Sequence, residues 1–351
     1  MRALAPEAAS APRHIAIVGR MGGTHIGDSL RHAATAAGHK VVFFDADGAE
    51  VGSRFRRAVA WRTGRRPVSL DQFSATVAAA CDRHPPDLLI TTGAGALTVG
   101  ALQRLRQSGV KLANYSTDDP WNPLLRAGWH LRSLPRYDVI FTPRRANIED
   151  FRRLGCGDVR YLPFGFDSRH ARPPEAPLAL EDAPEVLFVG GADRDRAAFV
   201  RAFIGRGMPI SLAGGYWERF AGLRRHAAGV KSPDELRALT SAAKVNLCLV
   251  RRANRDGHVM RSLEIGAIGG CMLAEDTGEH RELFGPDGES VAYFKTPEDA
   301  AERARALIAD PAERRRLAAA LHARIWSGQH SYLHRLQAIS DLLPSLSSET
   351  S

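Results

Sequence analysis

Short buried strands alternate with amphipathic helices along most of the chain, and this alternation restricts the fold more than any other feature. In the first half, apolar runs such as HIAIVG and DLLITTG precede helical segments such as Leu70–Arg83. The same order starts again at EVLFVGG, after a proline-rich segment at 168–184. Strands that alternate with helices form parallel, doubly wound sheets, because each connecting helix has to cover the sheet. The sequence therefore predicts two consecutive α/β domains.

The two predicted domains divide the chain near the proline-rich segment. We place the first at 1–173 and the second at 174–330, and we expect 331–351 to form a helix that crosses back to the first domain, followed by a tail. A chain of 351 residues suits two domains of roughly 150 residues better than one. Ligands of such folds bind where the carboxyl ends of the strands gather, so the loops after strands are the candidate functional regions.

Composition indicates a soluble protein of a reducing compartment. Apolar residues make up 44% of the chain and charged residues 25%, and no apolar run approaches the ~20 residues of a membrane span. The N-terminal segment MRALAPEAASAPRH has no signal-peptide core, and we expect it to be a frayed tail. The four cysteines are scattered without a C-x-x-C pair, which predicts a cytoplasmic protein without structural zinc or disulfides.

The net charge of +9 comes almost entirely from arginine, since only five of the 48 basic residues are lysine. Such a surface is either a solvated arginine-rich exterior or a field that favours anionic ligands, such as nucleoside diphosphates. It is also compatible with peripheral contact with an anionic membrane, which is the most membrane contact that we expect. The sequence has no compact basic tract with interleaved aromatics and no nucleic-acid-binding motif, so we predict no nucleic-acid partner.

The segment at 255–284, RDGHVMRSLEIGAIGGCMLAEDTGEHRELF, carries the clearest chemistry. It predicts a loop, an amphipathic helix, a buried strand and a second loop that opens a helix. Two acids, Asp256 and Glu264, have seven residues between them, including His258 and Arg261. A helix N-terminus and an arginine suit a diphosphate, whereas a carboxylate accepts hydrogen bonds from ribose hydroxyls. The segment therefore predicts a nucleotide-sugar site, with an ordinary amphipathic helix and glycine cap as the alternative.

This segment resembles the donor-site motif of GT-B glycosyltransferases, in which two acids lie seven residues apart. Glu264 matches the second acid, and Asp256 falls at the position of the first, which is usually Glu. The closer resemblance is to the CgeB-like (spore maturation protein-like) branch of the family-4 type enzymes. Their motif is roughly R-x-F-E-x-x-A-C-G-G-x-x-L-T-E, and this chain has RSLEIGAIGGCMLAE from Arg261 to Glu275.

Other segments resemble the same branch in their order and spacing: DDPWN at 118–122, Phe141-Thr142 with Asn147 and Gly155, FVG with Arg196, AGGYW at 213–217, and HSYLHR at 330–335. The resemblance implies the GT-B fold, an α/β architecture of two Rossmann-like domains whose parallel sheets face a cleft. It implies a glycosyltransferase that moves a sugar from a nucleoside-diphosphate-sugar to a hydroxyl-bearing acceptor, with retention of configuration and without metal. The acceptor, whether small molecule, glycan or protein, stays open.

The candidate site residues follow from this resemblance and from their positions after strands. The donor-binding candidates are Gly190, Arg196, Asn254, Asp256, His258, Arg261 and Glu264. Glu264 would bind the ribose and Asp256 the sugar hydroxyls. Arg261 and Arg196 would neutralise the leaving diphosphate, since arginine offers paired donors to a phosphate. In the first domain, the acceptor-binding candidates are Gly22, Gly23, Thr24, Trp121 and Asn122, and the catalytic candidates are His25, Asp118 and Asp119.

Structural roles compete with these assignments. Arg196 suits a solvated salt bridge equally well, and Asp118 or Asp119 suits a cap of the turn before a proline. His25 suits a surface or helix-capping position. An aromatic ring stacks on a sugar or packs in the core, and both roles are open for Trp121, Trp129 and Trp217.

Two rival functions also stay open. The glycine-rich loop at 19–27 follows a strand, and Asp45 and Asp47 end the next strand, as in a loose NAD-binding fingerprint, but the glycine spacing is not G-x-G-x-x-G. The D-A-D at 45–47 also matches the metal motif of GT-A enzymes, although its position after a Rossmann strand argues against it. A GT-B scaffold that binds a nucleotide-sugar without turnover is the second rival, because Asp256 replaces the usual Glu. We predict no metal and no cofactor, with the nucleotide-sugar as substrate.

Overall fold

The computed structural model describes residues 13–175 and 183–343. These residues form two compact units, 13–163 with 332–343 in the first and 164–175 with 183–331 in the second. The chain crosses from the first unit to the second between Pro163 and Phe164, and it returns between Ser331 and Tyr332. The sequence-based boundaries were 173/174 and 330/331. The expected N-terminal tail at 1–12, the middle of the proline-rich segment at 176–182 and the C-terminal residues 344–351 lie outside the described residues.

The first unit contains a six-stranded parallel sheet with the strand order β2-β1-β3-β4-β5-β6. Its four central strands are mostly buried because helices cover both faces, as in other parallel sheets, whereas the two edge strands are partly exposed. The strands are β1 (His14–Gly19), β2 (Lys40–Asp45), β3 (Leu88–Thr92), β4 (Lys111–Tyr115), β5 (Val139–Thr142) and β6 (Val159–Tyr161). The helices are α1 (Ile26–Ala36), α2 (Arg54–Gly64), α3 (Leu70–Arg83), α4 (Val99–Gln107), α5 (Gly128–Ser133), α6 (Arg145–Arg153) and, from the C-terminus, α13 (Tyr332–Ser340).

The C-terminal helix α13 packs against α1 of the first unit, as the predicted returning helix does. Its Arg335 is 7% exposed and donates from Nε to the carbonyl oxygen of Pro163 at 2.8 Å. The hydroxyl of Tyr115, at the end of β4, donates to the same oxygen at 2.9 Å. Two buried side chains therefore hold the last peptide carbonyl of the first unit before the chain crosses.

The second unit contains another six-stranded parallel sheet, with the order β12-β11-β10-β7-β8-β9. Its strands are β7 (Val186–Val189), β8 (Ser211–Ala213), β9 (Ala227–Gly229), β10 (Val245–Cys248), β11 (Met272–Glu275) and β12 (Ala292–Phe294). Its helices are α7 (Arg194–Gly205), α8 (Pro233–Ala242), α9 (Met260–Ile268), α10 (Gly278–Phe284), α11 (Pro297–Ala309) and α12 (Pro311–Ser327). The two predicted doubly wound parallel sheets are therefore confirmed.

Each unit has its own apolar core between sheet and helices. All four cysteines lie buried as free thiols. Burial raises the pKa of Cys81 to about 11, and it raises those of Cys156, Cys248 and Cys271 to about 12. Within the described residues, no helix is long and apolar enough to cross a membrane.

Three elements were not predicted: α2, α5 and the edge strand β9. Helix α2 has the sequence RFRRAVAWRTG and buries none of its residues, so it lacks the apolar periodicity that reveals a helix. It is defined by its ends instead, where the Ser53 hydroxyl accepts from the Arg56 N–H at 3.3 Å and Arg65 adopts a left-handed conformation with φ 48°.

Helix α9 crosses α12 at Gly266, and this contact predicts a large effect of a single methyl group. A Cβ at Gly266 would lie 2.6 Å from Cγ1 of Ile325 and 2.8 Å from Cγ of Leu321. Gly266→Ala should therefore lower the free energy of unfolding of the second unit by about 1–3 kcal/mol through overpacking. Gly100→Ala on α4 is the control, because a Cβ there meets no atom within 4 Å; it should be neutral or stabilise by up to about 1 kcal/mol. Urea denaturation measures both, and equal effects of the two substitutions would contradict this packing.

Candidate functional site

The topology of the second sheet points to one region for ligands. The chain runs outward from β7 through β8 to β9 and then restarts at β10 on the other side of β7. Open parallel sheets bind ligands outside the carboxyl ends of the strands at such a reversal. Here that region is formed by the loops at 190–193 and 249–259, which follow β7 and β10. We call them the paired loops.

Arg196 connects the paired loops. It lies in the first turn of α7 and is 8% exposed. Its Nη1 donates to the carbonyl oxygen of Gly191 at 3.1 Å and its Nη2 to that of Leu249 at 3.1 Å. Its guanidinium carbon lies 5.4 Å from the ring centroid of Phe188. The sequence left a solvated salt bridge open for Arg196, and its burial excludes that role.

The charges around Arg196 show which side chains share this region. Burial lowers the pKa of Arg196 and the positive charge of Arg251 lowers it further, whereas the carboxylates of Asp193 and Asp256 act in the opposite direction. Arg251 lies 3.7 Å from Asp193. The structure thus places Asp256 near Arg196, although 60 positions separate them in the sequence. Arg251 and Asp193 were not among the predicted site residues. The arginine-rich run RRANRD after β10 was the signal that could have identified Arg251.

Arg261 and Glu264 form an ion pair on α9. Nη1 of Arg261 lies 3.3 Å from Oε2 of Glu264, and the two side chains are only 11% and 14% exposed. Nη2 of Arg261 donates to the hydroxyl of Thr240 on α8. Nε of Arg261, like Nε of Arg196, is buried and has no hydrogen-bond partner among the described residues. Both terminal nitrogens of Arg261 thus contact other side chains of the protein, Nη1 with Glu264 and Nη2 with Thr240. The contact with Glu264 orients that carboxylate.

Cys248 shows that the two arginines approach the same point. This residue ends β10, and burial raises the pKa of its thiol to about 12 while the positive charges of Arg261 and Arg196 oppose the shift. Both guanidinium groups therefore act at the carboxyl end of β10.

Asn254, also a predicted donor residue, is 3% exposed, and its N–H closes a turn by donating to the carbonyl oxygen of Arg251 at 3.0 Å.

His258 lies on the inner side of the paired loops. Its Nε2 accepts from the N–H of Phe164 at 3.1 Å, so Nδ1 carries the proton and donates to Oε2 of Glu279 at 2.7 Å. The His258 side chain is 0% exposed, which excludes the direct donor contact that we expected. Glu279, which sequence reasoning missed, packs so closely that a Cβ on Gly257 would lie 2.4 Å from its Cδ. The hydrogen-bonded pair of His258 and Glu279 positions the backbone of residues 256–258 instead of contacting the donor.

In the first unit, the sheet reverses between β1 and β3, and the predicted acceptor loop follows β1. Gly22 and Gly23 adopt left-handed conformations with φ 78° and 55°, and a Cβ on either would meet no atom. His25 is at the N-cap position of α1 but makes no side-chain cap hydrogen bond. Its side chain is exposed, as the catalytic prediction requires. Thr24 lies between Gly23 and His25 and is partly exposed.

The acidic turn after β4 is partly structural. Asp119 is 1% exposed, and its Oδ1 accepts from the Trp121 N–H and from Nδ2 of Asn147, both at 2.9 Å. Asn122 is also buried and accepts from the Leu124 N–H at 3.0 Å. These contacts make turn caps of Asp119 and Asn122, which corrects the catalytic and acceptor roles expected for them. Asp118 is exposed, and its catalytic role stays a prediction.

The three candidate tryptophans, Trp121, Trp129 and Trp217, pack against other parts of the protein. Trp121, predicted to bind acceptor, contacts Phe151 edge-to-face with centroids 4.9 Å apart. Trp217 is 0% exposed and donates to the Gly190 carbonyl oxygen at 2.8 Å, which commits that oxygen to the core side. Trp129 donates to the carbonyl oxygen of Arg65 at 2.9 Å.

The D-A-D segment has structural partners as well. Oδ1 of Asp45 accepts from the Asp47 N–H at 3.1 Å, and Asp47 forms an ion pair with Arg20 at 3.0 Å. Among the described residues, no three or more His, Cys, Asp and Glu side chains are grouped so that they could hold a metal ion.

Comparison with known proteins agrees with this architecture. Residues 194–341 match the sequence model of a family described as "Glycosyl transferase-like". No match was found among curated proteins. The chain resembles the solved structure of sucrose-phosphate synthase from Thermosynechococcus elongatus with a TM-score of 0.69 and 14% identity, over 93% of this chain and 97% of that one.

Two further solved structures are similar over nearly their full lengths. Anabaena HepE in complex with UDP and glucose aligns with a TM-score of 0.67 and 14% identity, over 95% of this chain and 100% of that one. A UDP-forming trehalose-phosphate synthase from Burkholderia xenovorans aligns with a TM-score of 0.62 and 15% identity, over 96% and 100%. The chain therefore has the GT-B fold predicted from the sequence.

Buried histidines predict how stability depends on pH. Burial lowers the pKa of His280 on α10 to about 4, although its hydrogen bond to the carbonyl oxygen of Glu275 opposes the shift. Burial lowers the pKa of His130 on α5 to about 4 as well. Between pH ~6.5 and ~4 the unfolded chain gains protons that the folded chain excludes, so the free energy of unfolding should fall by about 1.4 kcal/mol per pH unit for each group.

The test is the slope of unfolding free energy against pH for His280→Gln, whose amide can still donate to Glu275. The slope for the second unit should become shallower between pH ~6.5 and ~4. His84→Gln is the control, because His84 is exposed, and it should leave the slope unaltered. An unchanged slope in His280→Gln would show that this histidine is charged in the folded protein.

Proposed function

We propose that the protein is a glycosyltransferase that moves a sugar from a nucleoside-diphosphate-sugar to a hydroxyl-bearing acceptor. The observation that carries the proposal is the gathering of Arg196, Arg251 and Asp256 at the reversal point of the second sheet. The glycosyl transferase-like match covers this region, and structures with the same fold hold UDP and UDP-glucose. The resemblance of residues 261–275 to the CgeB-like motif supports that branch of the GT-B enzymes.

The paired loops would bind the donor. Arg196 and Arg251 face the leaving diphosphate, whose growing negative charge they stabilise as the glycosidic bond breaks. The buried Nε of Arg196 has no hydrogen-bond partner among the described residues and lies 3.9 Å from Oδ2 of Asp193. Glu264 accepts hydrogen bonds from the ribose hydroxyls, oriented by Arg261, and Asp256 binds the hydroxyls of the transferred sugar. The motif resemblance supports transfer of a hexose with retention of configuration, in the cytoplasm, where nucleotide-sugars are made.

The first unit would bind the acceptor through the loop after β1. Gly22, Gly23 and Thr24 present backbone without bulky side chains, which suits close approach of a sugar or another hydroxyl compound. His25 and Asp118 are exposed, and each is a base able to take the proton of the acceptor hydroxyl. The acceptor is a small molecule, a glycan or a protein side chain.

The donor assignment is tested by Glu264→Gln, which keeps the size of the side chain and removes its charge. We expect the nucleotide-sugar dissociation constant to rise about tenfold, since a hydrogen bond to a charged group contributes about 1.5–3 kcal/mol. Calorimetry measures this constant, once thermal stabilisation has selected the ligand from UDP-, GDP-, dTDP- and ADP-sugars. A ligand at 100 times its dissociation constant adds about 2.7 kcal/mol of stability, which a melting curve resolves.

Glu313→Gln is the matched control, because Glu313 also pairs with an arginine one helical turn away, at 2.7 Å, but on α12. It should bind the donor as the wild type does. An unchanged constant in Glu264→Gln would remove Glu264 from the ribose site, and absence of stabilisation by every nucleotide-sugar would refute the proposed function. Donor binding without release of nucleoside diphosphate would identify a non-catalytic binding scaffold.

Metal and redox cofactors play no part in the proposed reaction. The arginines of the paired loops supply the positive charge that a metal supplies in other transferases. We expect release of nucleoside diphosphate to persist in EDTA, and titrations with NAD and NADP to show no binding. Loss of activity in EDTA with recovery in Mn²⁺ or Mg²⁺ would indicate a metal-dependent enzyme. Micromolar NAD binding without any response to nucleotide-sugars would indicate an oxidoreductase.

A further inference from the structure

Helix α2 presents large apolar side chains that nothing in the described part of the chain covers. Phe55, Val59 and Trp61 are 77%, 43% and 53% exposed, and Val51 just before the helix is 66% exposed. No residue of this 11-residue helix is buried. Helices of that length are marginal in water and are normally stabilised by packing of an apolar face. The exposed apolar side chains of α2 therefore indicate an interaction surface.

The exposed face continues onto neighbouring loops of the first unit. Nη1 of Arg65, directly after α2, donates to the carbonyl oxygen of Arg126 at 2.8 Å, and the preceding Leu124 and Leu125 are exposed. On the other side, Arg20 and α2 line one open hollow, and Met21 beside Arg20 is 49% exposed. We call residues 51–66, 124–126 and 20–21 the arginine–aromatic surface. Among described residues, the exposed large apolar side chains elsewhere are only Tyr216 and Val230.

The charge of this surface selects the partner. Residues 51–66 contain six arginines and no acid. Five of these arginines form no ion pair with any described side chain: Arg54, Arg56, Arg57, Arg62 and Arg65. The arginines alternate with the apolar residues around the helix instead of occupying the opposite side. A partner must therefore offer anionic and apolar groups within a few ångströms of each other.

The headgroup region of an anionic bilayer has this composition. Lipid phosphates accept from guanidinium groups, while aromatic rings, tryptophan above all, settle at the boundary between headgroups and acyl chains. A second copy of the chain fits less well, because two such surfaces would bring eight arginines against eight. We infer that the arginine–aromatic surface docks the first unit on anionic lipid, with Phe55 and Val59, which lie four residues apart on one side of α2, inserted among the headgroups and the flanking Arg56 and Arg62 on lipid phosphates.

The test is flotation of the full chain with phosphatidylcholine vesicles, with and without phosphatidylglycerol. Wild type should float with the anionic vesicles, and high salt should release it. Arg56→Gln with Arg62→Gln should weaken the partition on the order of tenfold or more, and Phe55→Ser with Val59→Ser should weaken it at least tenfold. All four side chains are exposed, so the melting temperatures of both variants should stay near that of wild type.

Val230→Ser with Arg315→Gln is the matched control, since it removes an exposed apolar side chain and an exposed arginine from the second unit; it should float like the wild type. Equal flotation of all variants, or none by wild type, would overturn the proposal. Self-association lost in the α2 variants without vesicle binding would assign the surface to a second copy and overturn it as well.

Discussion

The buried guanidinium of Arg196 is the interaction on which the candidate site depends. It joins the loops after β7 and β10 through the carbonyl oxygens of Gly191 and Leu249, at the point where the sheet reverses direction. A cation there is costly unless nearby dipoles and charges compensate it. The two carbonyls, the ring of Phe188 and the carboxylates of Asp193 and Asp256 provide that compensation. One side chain thus fixes the loop geometry and creates a positive potential beside the strand ends.

Most of the fold followed from hydrophobic pattern, because buried parallel strands and their covering helices have strong periodic signals. The segments at His14–Gly19 and Leu70–Arg83 were predicted with the bounds that the structure shows. Elements that bury little were missed. Helix α2 has no inward face to generate a period, and β9 is a three-residue Ala-Ala-Gly edge strand with low intrinsic preference for extended structure.

The site was predictable as a region but not in the direction of each side chain. The sequence places His258 and Asp119 in functional loops, yet their partners come from positions that no local pattern reveals. His258 binds the backbone of Phe164, 94 positions away, and Asp119 binds Asn147, 28 positions away. Such contacts turn a polar residue towards the interior and change its role from ligand contact to positioning. Arg196 is the opposite case. It was predicted as a donor-site residue, and its buried contacts with Gly191 and Leu249 keep it in that region.

The buried cysteines give the molecule a property unrelated to catalysis. Cys81 and Cys156 belong to the first unit, Cys248 and Cys271 to the second, and burial holds all four thiols protonated at neutral pH. Only the thiolate attacks an alkylating reagent or a disulfide. The folded chain is therefore inert to such reagents, and each thiol becomes reactive only when its own half opens. The rate of alkylation at each cysteine therefore reports how often the structure around that cysteine opens. Each half of the protein contains two such reporters.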